Sequence, residues 1–428
     1  MSTRDKHGKI GILMGGGPAP GTNGVIHGAT IVALESGYEV FGIYEGFRYL
    51  SEGKLVGRSL SIADVSRIHL DGGCILRTSR TNPTKSDELL ENCVKTLLAE
   101  QITNLIAIGG DDTAYSAYRV SKYAKENMGA DIQVVHVPKT IDNDLPLPDG
   151  VPTFGYSTAR EVGSQLVRNL LVDATTGQRW FLVVGMGRHA GHLALGMGMS
   201  AGATITVIPE EFGGKDIPLR RVTDIFVTTV LKRMAMGKPY GLLLAAEGLI
   251  EIISKDDLSQ LKDVEVDAHG HIRLSEIDSA MLLKREVARE LDDLGLHDIR
   301  IVGKRIGYEV RCAPPNAYDV NYTRSLGQAA VEFLMDGGSH ATITIQGSHV
   351  VPMKFDDMMD PETGRTEVRK VNMNSLTYRS AHRFMIRLKP EDADDEPLWA
   401  EMASLTNLTV DELKARFGYL CGIGDPPF

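Results

Sequence analysis

Length, composition and charge exclude several classes of protein. The 428 residues suffice for two α/β domains that each bury a core, and 43% hydrophobic with 24% charged residues is ordinary for a folded globular protein. The formal net charge of −10 argues against a nucleic-acid-binding protein, because contacts with nucleic-acid phosphates need a basic surface.

Strands and helices are predicted to alternate along the first 150 residues. Apolar runs predict strands over residues 9–14, 38–43, 104–108 and 132–137. The intervening segments predict helices over residues 23–36 and 86–100. Because helices connect successive strands, we expect right-handed crossovers and a mainly parallel sheet.

A second α/β set is predicted after Gly150. It comprises a helix over residues 158–175, a helix after Gly191, a helix over residues 280–294, and strands over residues 180–184, 204–208 and 240–246. Residues 255–276 are polar and predict a surface excursion, whereas residues 410–420 are amphipathic. The expected fold class is α/β, with two Rossmann-like three-layer lobes that have mainly parallel sheets and face a central cleft.

The cysteines and the apolar stretches bear on the cellular compartment. The spacing of the cysteines is typical of neither a metal site nor a disulfide framework, which predicts reduced thiols at Cys74, Cys93, Cys312 and Cys421. Residues 1–6 contain no apolar signal core. The most apolar stretch, residues 180–208, is interrupted by Arg188, His189 and His192, so no membrane span is predicted. We therefore expect a cytoplasmic protein.

A glycine-rich turn follows the first predicted strand. Residues 15–17 are all glycine, so their bare amides and the next helix could bind phosphate. The same glycines are equally consistent with a tight turn alone. No Gly-Lys-Ser/Thr follows, which excludes a Walker A sequence.

Two further turns carry clustered carboxylates. Asp111 and Asp112 follow one buried strand, while Asp142 and Asp144 follow the next strand together with Lys139. Helix capping and turn formation are the alternative roles for these acids. Open α/β sheets bind ligands at the carboxyl ends of their strands. Carboxylates at this density repel one another unless a cation lies among them, so the pattern predicts a divalent metal and a phosphorylated ligand.

In the second half of the chain, other charged residues directly follow predicted strands. Arg188 follows the strand over residues 180–184, Glu247 follows the strand over residues 240–246, and residues 304–311 form a basic cluster suited to a phosphate group. His189 and His192 lack a third ligand nearby, which disfavours a zinc site. Phosphoryl transfer to an alcohol requires such a set of carboxylates, metal and cations.

The motifs together resemble those of the phosphofructokinase family. Gly-Gly-Gly-Pro-Ala-Pro-Gly-Thr-Asn, Gly-Gly-Asp-Asp, Pro-Lys-Thr-Ile-Asp-Asn-Asp, Met-Gly-Arg-His-Ala-Gly and Glu-Gly occur in that family's order, over roughly residues 8–340. The resemblance implies Mg²⁺-dependent phosphoryl transfer to the 1-hydroxyl of fructose 6-phosphate. The expected domains are a donor and metal lobe over residues 1–150 and about 312–385, a sugar lobe over residues 151–311, and a C-terminal helical extension over residues 386–428.

The resemblance further implies a role for individual residues. Asp142 would accept the proton, Asp111 would hold Mg²⁺ with Asp144 as a second candidate, and catalysis would also involve Lys139, Asp112 and Arg188. The donor phosphates would contact Gly16, Gly17, Arg80 and Lys139. The sugar phosphate would contact Thr140, Ile141, Asp142, Arg179, Met186, Gly187, Arg188, Glu247, Tyr308 and Arg311. Arg179 would reach the sugar phosphate across a subunit contact, which implies a homodimer or homotetramer.

Two positions bear on the choice of phosphoryl donor. ATP-dependent bacterial relatives carry glycine at the positions of Asp112 and Lys139. A carboxylate at Asp112 would occupy the space of the nucleotide α-phosphate and repel its charge. Lys139 would neutralise the phosphate that leaves pyrophosphate. The pair resembles the pyrophosphate-dependent branch of the family, with an ATP-dependent enzyme as the alternative.

Two departures from the family pattern affect the expected substrates. Arg77 stands where a glycine usually precedes Thr-Ser-Arg, which could alter contacts with the donor. Residues 312–315, Cys-Ala-Pro-Pro, replace a common Gly-Gly, so a sedoheptulose 7-phosphate kinase is a further alternative. A dinucleotide-dependent oxidoreductase is disfavoured because no Gly-x-Gly-x-x-Gly follows the first strand. A non-catalytic sensor is disfavoured because it has no need of a base.

Overall fold

The computed structural model describes residues 8–214, 216–260, 277–359, 362 and 366–426. The chain divides into two compact units. Unit 1 comprises Met1–Ala159 and Tyr308–Arg369, and unit 2 comprises Arg160–Gly307 and Lys370–Phe428.

The regular elements alternate between strand and helix, as the sequence predicts for an α/β protein. The strands are β1 (Lys9–Met14), β2 (Glu39–Ile43), β3 (Gly57–Ser59), β4 (Ile102–Gly109), β5 (Gln133–Pro138), β6 (Trp180–Gly185), β7 (Ile205–Val207), β8 (Gly241–Ala246), β9 (Ile301–Ile306), β10 (Ala341–Gln346) and β11 (His349–Lys354). The α-helices are α1 (Thr22–Glu35), α2 (Arg48–Ser51), α3 (Ile62–Val65), α4 (Asp87–Ala99), α5 (Asp111–Met128), α6 (Tyr156–Gly177), α7 (His192–Ala201), α8 (Leu219–Ala235), α9 (Leu249–Ile252), α10 (Lys255–Ser259), α11 (Ser279–Asp293), α12 (Tyr308–Arg311), α13 (Ala317–Met335), α14 (Leu376–Phe384), α15 (Glu396–Ser404) and α16 (Val410–Phe417).

Unit 1 contains a seven-stranded sheet in the order β11-β10-β5-β4-β1-β2-β3. The pairs among β10, β5, β4, β1 and β2 are parallel, whereas the outermost strands β3 and β11 pair antiparallel. Almost every residue of β1, β4 and β5 is buried, which explains why their sequences are mostly apolar. Because β1, β4 and β5 are parallel neighbours, the segments that follow them lie at one edge of the sheet.

Unit 2 contains a four-stranded parallel sheet in the order β7-β8-β6-β9. Its core includes the fully buried Trp180 and Phe226, and it also includes Trp399 and Phe417 from the C-terminal segment. The segment predicted as a C-terminal helical extension, residues 386–428, thus contributes side chains of α15 and α16 to the core of unit 2. The core of unit 2 covers the apolar face of the C-terminal helices, and this burial holds the segment against unit 2.

The predicted fold class is confirmed: both sheets are mainly parallel and are connected by helices. The observed elements begin and end close to the predicted bounds, from β1 to α11. Two predictions fall on residues outside the described part of the chain, namely the absence of a signal core in residues 1–6 and most of the polar excursion, residues 261–276. In the part that the structure describes, no helix is long and apolar enough to cross a membrane.

Candidate active site

Three loops meet at the edge of the unit 1 sheet where β1, β4 and β5 end. The amide of Gly15 donates to the carbonyl of Ile108 at 2.9 Å, which joins the first loop to β4. The amide of Lys139 donates to the carbonyl of Gly109 at 2.8 Å, which joins the third loop to the second. The glycine turn, the Asp111–Asp112 pair and the Lys139–Asp144 segment are therefore held side by side.

Two cationic side chains pack against the glycine turn. Lys139 Nζ donates to the carbonyl of Gly17 at 2.7 Å. A Cβ atom at Gly16, where φ is +82°, would lie 3.3 Å from that Nζ, and a Cβ atom at Gly17 would lie 3.4 Å from the guanidinium of Arg311. The positive φ of Gly16 favours glycine there, and a side chain at either position would crowd one of the two cations. A tight turn alone needs neither cation, so this arrangement favours an anion-binding role.

Lys139 is buried, with only 6% of its surface exposed. Burial, with a further contribution from the positive charge of Arg311, lowers the pKa of Lys139 to about 8. The negative charges of Asp142, Asp144 and Asp111 act in the opposite direction on this pKa. An anion bound beside Lys139 would also stabilise its charged form.

The first pair of carboxylates begins helix α5. Asp111 and Asp112 lie in its first turn and are exposed, while Gly110 is the N-cap residue and makes no side-chain cap. Acidic residues are favoured here by the helix dipole, so a helix-stabilising role is consistent with their position, and their exposure leaves both carboxylates accessible.

The second pair of carboxylates lies on the loop after β5. Asp142 and Asp144 are half-buried, and the amide of Asp142 donates to Thr140 Oγ1 at 3.0 Å. Ile141 is 4% exposed, so its side chain is buried in the ligand-free protein. Over the described ranges, no three His, Cys, Asp or Glu side chains lie close enough together to hold a metal by themselves.

Two loops of unit 2 carry most of the other predicted residues. Residues 186–188 follow β6 and Glu247 follows the adjacent β8. The amides of Glu247 and Gly248 donate to the carbonyls of Gly185 and Gly187 at 2.9 and 3.0 Å, which ties the two loops together. Gly187 has a φ of +133°, a backbone conformation that favours glycine.

Ion pairs orient the charged side chains of these unit 2 loops. Arg188 Nε lies 3.2 Å from Glu251 Oε1, and the other oxygen of Glu251 lies 3.4 Å from His189 Nδ1. Arg305 Nη2 donates to Glu247 Oε1 at 3.1 Å. Glu251 is not among the predicted site residues, and its only sequence signal is its position four residues after Glu247.

The predicted site residues are thus distributed over both units. Unit 1 holds Gly16, Gly17, Arg80, Asp111, Asp112, Lys139, Thr140, Ile141, Asp142, Asp144, Tyr308 and Arg311, and unit 2 holds Arg179, Met186, Gly187, Arg188 and Glu247. The α12 helix places Tyr308 and Arg311 in unit 1, although the sugar lobe was predicted to extend to residue 311. The Arg311 guanidinium lies over the Tyr308 ring, 5.6 Å from its centroid.

The remaining predicted residues lie at the ends of other elements. Arg80 is exposed, and Thr78, on the same segment, donates through Oγ1 to the carbonyl of Gly16. Arg77 has a φ of +57°, which glycine adopts without strain, and its Nη1 lies 3.5 Å from Glu45 Oε1. Arg179 follows α6, and its Nε lies 3.0 Å from Asp173 Oδ1.

Comparison with known proteins relates this geometry to one family. The family model described as "Phosphofructokinase" matches residues 9–334. The chain is 47% identical to the pyrophosphate–fructose 6-phosphate 1-phosphotransferase of Naegleria fowleri, over 96% of this chain and 95% of that protein. It is 48% identical to the protein of the same name from Thermotoga maritima, over 96% and 98% of the two chains. The crystal structure of a pyrophosphate-dependent phosphofructokinase from Marinobacter aquaeolei has a TM-score of 0.66, with 19% identity over 98% of this chain and 93% of that chain.

Proposed function

The chain belongs to the phosphofructokinase family, and we propose that it transfers a phosphoryl group from pyrophosphate to the 1-hydroxyl of fructose 6-phosphate. The products are fructose 1,6-bisphosphate and phosphate, and the reaction is reversible. The observation that carries this proposal is the buried Lys139, which packs against the Gly16–Gly17 turn next to the helix that begins with Asp111 and Asp112.

The choice of pyrophosphate rests on charge and space beside the glycine turn. An exposed carboxylate at Asp112 repels a nucleotide α-phosphate and occupies its volume, whereas inorganic pyrophosphate has no such group. Lys139 supplies positive charge that stabilises the phosphate leaving group. Arg311, which is also a proposed sugar-phosphate contact, adds positive charge against the same turn. Gly16, Gly17 and Arg80 complete the proposed donor site.

Asp142 is the proposed acceptor of the hydroxyl proton. It lies on the same loop as Lys139, and the bond from its amide to Thr140 Oγ1 fixes the backbone next to it. The attacking oxygen becomes a better nucleophile as its proton passes to the carboxylate. The proposed sugar-phosphate contacts are Thr140, Ile141, Arg179, Met186, Gly187, Arg188, Glu247, Tyr308 and Arg311.

A magnesium ion fits the donor set of this edge of the sheet. Mg²⁺ prefers oxygen ligands and commonly binds one or two carboxylates together with waters and substrate phosphates, so a preformed cluster of three acids is not required. Asp111 is the proposed ligand, with Asp144 as a second ligand. When bound, Mg²⁺ would neutralise charge on the pyrophosphate oxygens.

We also propose a homodimer or homotetramer in the cytoplasm. The oligomer is proposed because the resemblance to the family implies that Arg179 reaches the sugar phosphate across a subunit contact. The absence of paired spacing among the four cysteines supports a reducing compartment. Light scattering after size-exclusion chromatography tests the oligomer, and a monomer at working concentration would contradict it.

Initial rates with two donors and two acceptors test the proposed reaction. The purified protein is assayed with Mg²⁺, using pyrophosphate or ATP as donor and fructose 6-phosphate or sedoheptulose 7-phosphate as acceptor. We expect the highest kcat/KM with pyrophosphate and fructose 6-phosphate. Turnover with ATP and none with pyrophosphate would identify an ATP-dependent enzyme, and a higher kcat/KM for sedoheptulose 7-phosphate would change the acceptor.

A further inference from the structure

Residues 140–153 carry the proposed proton acceptor but form neither helix nor strand. The loop contains Asn143 in a left-handed conformation with a φ of +56°, directly between Asp142 and Asp144. Its own restraints include the bond from Thr153 Oγ1 to the carbonyl of Thr140 at 2.7 Å and the bond from the amide of Thr153 to Asn143 Oδ1 at 3.0 Å. A loop of this length without regular structure needs further contacts to hold two carboxylates in fixed directions.

Arg369 supplies such contacts from the last residue of unit 1. Its Nη1 donates to the carbonyls of Val151 and Leu147 at 2.8 and 3.2 Å, and its Nε donates to the carbonyl of Asn143 at 3.1 Å. Its Nη2 donates to Asn143 Oδ1, and its backbone amide donates to the carbonyl of Asp144 at 2.8 Å. All three guanidinium nitrogens therefore bind the one loop.

The chemistry of these bonds explains why the residue is arginine. A guanidinium presents its donors in a rigid planar fork, so it can bind several carbonyls of a folded loop at once. A lysine ammonium is a compact charge on a flexible stem and cannot reproduce that pattern. Arg369 lies beyond residues 9–334, which the family model matches.

We propose that Arg369 is a positioning residue, which fixes Asn143 and the backbone that follows it and thereby orients the neighbouring Asp142 and Asp144 toward the reacting groups. This inference rests on the proposed function for the role of Asp142. Arg369 acts through the loop, and its effect is on the geometry of the carboxylates. A misplacement of about 1 Å at a reacting group can lower a rate on the order of 10²-fold.

The test combines kinetics with hydrogen exchange on three variants of the full chain. Arg369→Ala and Arg369→Lys remove the fork, and Arg119→Ala is the matched control. Arg119 is a half-buried arginine of the same unit whose Nη1 donates to Tyr115 Oη on its own helix at 3.0 Å. The readouts are kcat, KM for fructose 6-phosphate, and the exchange rates of the amides of Asp142, Leu147 and Val151 measured by mass spectrometry.

For both Arg369 variants we expect kcat, corrected for folded fraction, to fall roughly 10- to 100-fold. The KM for fructose 6-phosphate should change by a smaller factor than kcat, because most of the proposed sugar contacts lie outside this loop. Exchange in the loop should become at least about tenfold faster. Arg119→Ala should match the wild type in all three measurements.

Several results would overturn the proposal. Unchanged loop exchange would show that Arg369 does not restrain the loop, and faster exchange with unchanged kcat would show that the restraint does not serve catalysis. If both Arg369 variants fail to fold, Asn143→Gly keeps the positive φ, removes the Oδ1 acceptor, and should reproduce the same pattern in weaker form. If the wild type turns over no donor, the proposed function fails while the exchange data still decide whether Arg369 anchors the loop.

Discussion

The replacement of Lys139 by methionine is expected to stabilise the ligand-free protein while it removes the activity with pyrophosphate. Burial, together with the charge of Arg311, lowers the pKa of Lys139 from 10.5 to about 8. At 1.36 kcal/mol per pH unit, this difference corresponds to about 3 kcal/mol against the charged lysine in the folded state. Methionine carries no charge, but it loses the 2.7 Å bond to the carbonyl of Gly17, which stabilises the fold by about 1 kcal/mol.

The net expectation is a gain of about 2 kcal/mol in the free energy of unfolding at pH 7. For a domain of 150–250 residues, this corresponds to a rise in Tm of roughly 4–8 °C. The unfolded lysine keeps its proton up to a pH of about 10.5, and the folded one only up to about 8. The unfolded state therefore binds more protons between these values, so wild-type stability rises with pH in this window and the advantage of the variant shrinks.

Calorimetry of the ligand-free wild type and Lys139→Met at pH 7 and pH 10 measures this difference. The matched control is Lys9→Met, because Lys9 Nζ also donates to a backbone carbonyl, that of Glu100 at 3.0 Å, but lies at the surface. The control should change the free energy of unfolding by less than about 0.5 kcal/mol. A Lys139→Met protein that is no more stable than wild type at pH 7 would refute the reasoning, since the carboxylates would then offset the burial of the charge.

Three further predictions concern the reaction itself. Asp142→Ser should lower kcat by a factor on the order of 10² or more while the Kd of fructose 6-phosphate is largely kept; an unchanged kcat would exclude Asp142 as the base. Asp112→Gly should admit ATP as a weak donor. Asp112→Asn keeps the side-chain volume but removes the charge, so it separates the steric from the electrostatic effect on ATP. If neither variant turns over ATP, both explanations for the exclusion of ATP are contradicted. The kcat/KM for pyrophosphate should fall about tenfold per pH unit above a pH of about 8, as free Lys139 loses its proton. In Lys139→Arg this fall in kcat/KM above pH 8 should disappear, because the guanidinium stays charged. A fall that persists in this variant would assign the titration to another group.

The fold could be predicted from the sequence because its signals are local. The buried strands β1, β4, β6 and β8 are continuous apolar runs, and each run is bounded by glycine or polar turns. The course of the C-terminal segment could not be predicted in the same way. An amphipathic pattern such as that of α16 shows that one face will be covered, but it does not show which core covers it.

The candidate site could be predicted as a set of residue types at one edge of a sheet, but not as a geometry. The strand order β5-β4-β1 decides that Lys139 reaches Gly17, and no motif encodes that order. The sequence did not indicate a role for Arg369, because most of its partners are backbone carbonyls, which every sequence supplies. A residue that recognises backbone becomes visible only when the loop it binds has been folded.

The packing of Lys139 and Arg311 against the same turn explains how a destabilised group can serve the proposed reaction. In the ligand-free protein the two cations repel each other, which is one reason why the pKa of Lys139 is low. An anion bound beside both cations would attract each of them and offset this repulsion, so binding pyrophosphate would stabilise the protonated lysine that the leaving phosphate requires. A lysine whose charge the protein already satisfied would gain less from the ligand. The buried charge of Lys139, which destabilises the ligand-free protein and which methionine would remove, is therefore the same charge that attracts the donor.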